Sequence, residues 1–163
     1  MKVFATVLVL LGLTIPTALA AQGIGLAQLQ GGVAFTNGAL DHDALAGGRV
    51  ALGFRSGHFV FGPEVGYYGI GAETHLTTLG AFVRYGARTS TGWYGIAGLG
   101  YQGPGTSGGG ESLFGAGIGA GWSGGRAGHN GPSAEARYLF SLQDIGSEMF
   151  AGLLLTVGWE FRW

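Results

Sequence analysis

The stretch Thr156-Val157-Gly158-Trp159-Glu160-Phe161-Arg162-Trp163 closes the chain, and its reading decides the fold. Val157, Trp159, Phe161 and Trp163 fall on one parity, and Thr156, Gly158, Glu160 and Arg162 on the other, the period-two pattern of a strand with an oily face and a polar face. An exposed Trp-x-Phe-x-Trp edge in water would template aggregation, so this strand needs a partner strand, a lipid environment, or both.

Composition favours lipid. Of 163 residues only 10% are charged, 36 are glycine, and the mean hydropathy is +0.33. Typical soluble domains carry roughly 25% charged residues. Beyond the first residues no apolar run approaches the length of a membrane-spanning helix. The start reads as a separate module: Met1 and Lys2 as a positive n-region, Val3 to Leu13 as an apolar h-region, and Ala18-Leu19-Ala20 as a small-x-small cleavage site. A cleaved signal over residues 1–20 and a single exported domain over 21–163 are expected. There is no cysteine, hence no disulfide framework and no lipoprotein anchor. Lys2 is the only lysine, so the exported part sets seven arginines against nine acidic residues, a balance that gives no support to nucleic-acid binding.

Working back from the terminal strand, seven further alternating segments appear. Residues 23–35 carry Gln28 and Gln30 on one parity. Arg49 to Arg55 sets Val50, Leu52 and Phe54 against Arg49, Ala51, Gly53 and Arg55, and Ser56-Gly57 reads as a two-residue hairpin turn. His58 to Tyr68 places Phe59, Phe61, Val65 and Tyr67 opposite Glu64, with Pro63 needing a local bulge. Residues 77–87 set Leu79, Ala81, Val83 and Tyr85 against Gly80, Phe82 and Arg84. In Trp93 to Tyr101 two parities compete, and the reading adopted puts Trp93, Leu99 and Tyr101 outward. In the sixth, Phe114, Ala116, Ile118, Ala120 and Trp122 alternate strictly with glycine. Residues 133–141 and 149–163 complete eight antiparallel strands, which is the count and length of a small all-β, up-and-down transmembrane barrel.

With both ends on one side, the acidic residues between strands, Asp41, Asp43, Glu73, Glu111, Asp144 and Glu148, fall in odd connections, while Arg88 and Arg126 fall in even ones. A negative outer rim either holds divalent cations or keeps the loops solvated. The remaining charges, Arg49, Arg55, Glu64, Arg84, Glu135, Arg137, Glu160 and Arg162, share the inward parity. On a lipid face such charges cost about 2–4 kcal/mol each near the midplane, so they are expected to pair in the lumen as a polar plug. The glycine row of the sixth strand leaves room for long side chains opposite. Trp93, Tyr101, Trp122, Tyr138, Trp159, Phe161 and Trp163 sit near strand ends, where interfacial girdles form.

These residues resemble the small eight-stranded outer-membrane β-barrel superfamily that includes OmpA-type transmembrane domains, OmpX-like proteins and opacity-type antigens. The matching stretches are Gly62-Pro63-Glu64-Val65-Gly66-Tyr67-Tyr68, Glu135-Ala136-Arg137-Tyr138 and the terminal octapeptide. The resemblance implies that the octapeptide is an assembly signal, with Thr156 as the polar position, Gly158 as the glycine, and Phe161 and Trp163 as the aromatics; Trp163 departs from the commoner Phe. It implies a place in the bacterial outer membrane, surrounded by lipid and lipopolysaccharide, with barrel-assembly machinery and periplasmic chaperones as transient partners.

Catalysis on lipid A is the alternative from another class, because the deacylase type needs a His-x-Ser pair with a carboxylate. The nearest match is His75-Leu76-Thr77 at a loop edge, with Thr in place of Ser and Glu73 nearby. His42 between Asp41 and Asp43 supplies too few ligands for a metal site, and Ser107-Gly108-Gly109-Gly110 lacks the strand, lysine and helix of a phosphate loop. An adhesin would need larger outer loops than these, and a soluble lipocalin-like barrel would carry its charge outside. The expectation is a structural monomeric barrel, without catalysis, cofactor or metal.

Overall fold

The computed structural model describes residues 24–37, 44–70, 74–86, 92–106, 109–110, 112–124, 130–145 and 148–162. The expected signal, the acidic residues Asp41, Asp43, Glu73 and Glu111, and Arg88, Arg126 and Trp163 lie outside the described residues.

Eight strands form the barrel: β1 (Ile24–Thr36), β2 (Ala44–Ser56), β3 (Phe59–Ile70), β4 (Thr74–Tyr85), β5 (Gly92–Thr106), β6 (Leu113–Ser123), β7 (Gly131–Ile145) and β8 (Glu148–Arg162). A two-residue piece, Gly109–Gly110, pairs back on Gly105 and Thr106 and prolongs the β5 hairpin without joining the wall. Each strand pairs antiparallel with the next. The sheet then closes on itself, with β1 against β8 from Leu26↔Arg162 to Thr36↔Gly152. The terminal strand therefore has a partner on both sides, and its edge disappears.

Several strands run further than their alternation indicated. Both β4 and β2 begin three or more residues earlier, so His75 and Leu76 belong to a strand and not to a loop edge. Ladder pairs Asp144↔Met149 and Ile145↔Glu148, beyond a register shift at Phe140/Asp144, occupy what reads as a loop. The β2–β3 hairpin turns one residue later than expected: Ser56 pairs with Phe59, and Gly57 and His58 make the turn. Gly57 has φ of 60°, a conformation that costs glycine little and other residues more, which pins the turn there. Pro63 is absorbed without a bulge. The β2–β3 ladder lapses at Leu52 and Gly53, opposite Gly62 and Pro63, and resumes at Phe54↔Phe61 in the same register, so the ring that cannot donate faces a gap.

Alternation sorts the side chains. Leu79, Trp93, Leu99, Tyr101, Ile118, Val157 and Trp159 project outward and are exposed, Trp93 at 76%. The fifth strand thus follows the parity adopted for it, with Tyr94 and Ile96 buried inside.

Candidate functional site

The interior is layered. At the loop end Leu45, Tyr68, Leu76, Leu139, Phe150 and Leu154 pack as one apolar cluster. Toward the turns Leu26, Ala51, Val60, Phe82, Tyr94 and Ile96 form a second. Between and below them sit the charges. This departs from an all-polar plug: the inward parity carries large apolar groups as well, since an eight-stranded lumen is only wide enough to be filled by side chains.

In the central layer, Arg49 Nη1 donates to Glu64 Oε2 at 2.8 Å and Arg49 Nη2 to Glu135 Oε2 at 2.5 Å. Arg137 Nη1 donates to Glu64 Oε1 at 2.7 Å, and its Nε to Glu135 Oε2 at 3.0 Å. Two guanidinium groups and two carboxylates therefore alternate around a closed, charge-balanced ring. Neutral groups take up further sites: Gln28 Nε2 donates to Glu135 Oε1 at 3.0 Å, and Arg49 donates to Gln28 Oε1 and Gln30 Oε1 at 3.0 and 2.7 Å. Gln30 Nε2 donates to Ser133 Oγ at 3.1 Å, and Thr156 Oγ1 to Gln30 Oε1 at 2.8 Å. Such pairing is what permits charge to leave water.

The second group lies at the turn end. Glu160, 0% exposed, accepts from Arg84 Nη1 at 2.5 Å, from Ser123 Oγ at 2.5 Å and from Arg162 Nη2 at 2.6 Å. Arg162 Nη2 also donates to Ser123 Oγ. Tyr94 joins the two groups: its hydroxyl donates to Glu135 Oε1 at 2.6 Å, and its ring lies 3.6 Å beneath the Arg84 guanidinium carbon. Gly121, directly opposite on β6, makes room for it, because a Cβ there would stand 2.4 Å from the Tyr94 ring. One position of the glycine row is thereby explained by a close approach.

Of the eight charges placed in the lumen by parity, Arg49, Glu64, Arg84, Glu135, Arg137, Glu160 and Arg162 come together in these two groups. Arg55 does not. It is exposed beside the Gly57 turn and forms no ion pair with a described residue, because β2 ends where the lumen meets solvent. The sequence reading missed Tyr94, whose parity was contested, and the neutral partners Ser123 and Ser133. Gln28 and Gln30 were visible on one parity, with no charge to mark them as part of a network.

In the terminal octapeptide, Thr156 points inward into the network, and Gly158 lets the seam close: a Cβ there would meet Leu29 O at 2.0 Å. Phe161 is half-buried on the outer parity. Among the described residues His75 meets no acid or nucleophile of a catalytic constellation, and Glu73 lies outside them. The His75 ring stacks on Tyr67 on the outer face, with centroids 5.9 Å apart and planes at 14°, and Thr77 shares that parity. Among the described residues no three His, Asp or Glu side chains gather to hold a metal, and no helix is long and apolar enough to cross a membrane, which does not bear on crossing by strands.

No protein-family model matches the sequence, and no curated protein matches it. Solved structures do. Neisserial surface protein A superposes with a TM-score of 0.63 at 16% identity, over 85% of this chain and 96% of that one. The N-terminal β-barrel domain of Pseudomonas aeruginosa OprF superposes with a TM-score of 0.54 at 21% identity, over 86% and 100% respectively. The fold is that of the small eight-stranded outer-membrane barrels, as the resemblance had implied.

Proposed function

We propose that the chain is a structural, monomeric outer-membrane protein whose lumen is filled by its own side chains, and that it neither conducts solute nor catalyses a reaction. The observation that carries this reading is an inside-out distribution: exposed apolar groups encircle the wall, while Arg49, Arg84, Glu135, Arg137 and Glu160 are buried within it. That arrangement lowers the free energy in lipid and raises it in water.

In this reading residues 1–20 are a cleaved export signal and the mature barrel meets lipid and lipopolysaccharide. Chaperones and assembly machinery act on it only during biogenesis. Outward aromatics such as Phe59, Tyr85, Trp93 and Trp122 toward the turns, and Tyr67, Tyr101 and Phe114 toward the loops, form the two interfacial girdles. Reconstituted in planar bilayers, the protein should show no stable conductance. Sustained openings on the order of a nanosiemens would refute the filled lumen.

A further inference from the structure

The central network is fully paired on one side and not on the other. Arg137 and Gln102 are 3% and 4% exposed, yet Arg137 Nη2 and Gln102 Oε1 have no hydrogen-bond partner among the described residues. Both residues line one partly open cavity of about 40 Å³, together with Arg49, Glu64 and Thr78. Inward glycines of β4, β5 and β6 line its wall; a Cβ at Gly98 would face Glu64 Oε1 and Arg137 Nη1, whereas at Gly80 it would run into the Leu99 backbone and at Gly117 into the Leu139 side chain. The amide of Gln102 is oriented, since its Nε2 donates to Ala116 O at 3.3 Å and the reverse placement would oppose two acceptors. Its free atom is thus an acceptor, and that of Arg137 is a donor.

This pairing selects the occupant. A small anion satisfies Arg137 but is repelled by Gln102 Oε1 and Glu64. A cation satisfies those two and is repelled by Arg49 and Arg137. Water accepts from one and donates to the other. A buried water needs roughly 10–15 Å³ of such space, so the cavity admits about three, and no organic ligand. We propose that this cavity is a structural hydration site, in which a small cluster of ordered waters links Arg137 Nη2 to Gln102 Oε1 beside the Arg49–Glu64–Arg137–Glu135 ring. Gly98 then has a use of its own: it keeps the space beside Glu64 and Arg137 open for that water. The turn-end group, where Ser123 supplies the extra hydroxyl to Glu160, has no need of it.

The test is a crystal structure of the purified protein grown with sodium bromide. The expected result is ordered water within hydrogen-bond distance of both Arg137 Nη2 and Gln102 Oε1, with no anomalous bromide peak in the cavity. A bromide peak against Arg137, or a dry cavity with Arg137 and Gln102 paired directly, overturns the proposal. Gly98→Ser supplies the second arm. A Cβ at Gly98 lies 3.4 Å from Glu64 Oε1 and 3.8 Å from Arg137 Nη1, so the serine hydroxyl should take the place of one water. In detergent micelles, magnetisation transfer from long-lived water to the Arg137 side-chain protons should be seen in the parent and fall in Gly98→Ser. Its absence from the parent overturns the proposal equally.

Discussion

Replacing Glu135 with glutamine tests whether the barrel is held shut by its charges or only tolerates them. Glu135 accepts from four groups: Arg49 at 2.5 Å, Tyr94 at 2.6 Å, and Gln28 and Arg137 at 3.0 Å each. Glutamine keeps the shape, removes the negative charge, and presents an amide donor toward groups that are themselves donors. Breaking a buried ion pair by losing one partner costs about 3–5 kcal/mol. Glu64 remains in contact with both arginines, at 2.8 Å and 2.7 Å, so neither is left without a counter-ion, and the expected loss is at the lower end, about 3 kcal/mol. Glu64→Gln should cost less, about 1–2 kcal/mol, because the Glu64 side chain is 15% exposed against 1% for Glu135 and water compensates part of the change. The assay is equilibrium urea unfolding of protein folded into phospholipid vesicles, followed by tryptophan fluorescence. A Glu135→Gln variant within about 0.5 kcal/mol of the parent, the range of an ordinary surface substitution, would refute the view that the ring supports the fold.

Other perturbations address single contacts. Gly121→Ala drives a methyl against the Tyr94 ring and should destabilise by about 1–3 kcal/mol in the same assay, with the penalty largely relieved when Tyr94 is also replaced by alanine. Tyr94→Phe keeps the ring under Arg84 but loses a hydrogen bond to a charged acceptor, for an expected cost of about 1.5–3 kcal/mol. Deleting Phe161 to Trp163 should abolish insertion into the outer membrane while export continues; unchanged membrane levels of the truncated chain, measured by fractionation, count against the assembly-signal reading. His75→Ala should leave the acyl composition of lipid A unaltered by mass spectrometry, and an acyl chain whose loss depends on His75 would restore the enzymatic alternative.

Most of the barrel was legible because the proposed lipid setting implies a strict rule: a charged residue is costly on the outer face, so every strand that carries Arg or Glu declares its orientation. Arg49, Arg84, Glu135 and Glu160 each fix a parity in this way, and their neighbours follow. Where charge is lacking the rule is silent. Tyr94 competes with Trp93 on hydrophobicity alone, and only the space above Gly121 decides between them. The apolar interior layers were hidden for the same reason, since Leu45, Leu76 and Phe150 satisfy a dry lumen and a lipid face equally well. Arg55 shows the opposite failure: its parity is inward, but a position at a strand end meets solvent whichever way it points.

The seam between β1 and β8 has a kinetic consequence. Leu26 pairs with Arg162 and Phe35 with Leu153, so the wall is completed by contacts between opposite ends of the chain. Such pairings are slow to form, because the entropy of closing the whole intervening chain precedes any gain from contact. Until Gly152–Arg162 docks on β1, β1 and β8 are both bare edges, each with an outer apolar face. The partly folded chain is then most vulnerable at the moment when it is nearly complete, and a factor that recognised the last strand would hold the segment whose docking removes both edges at once.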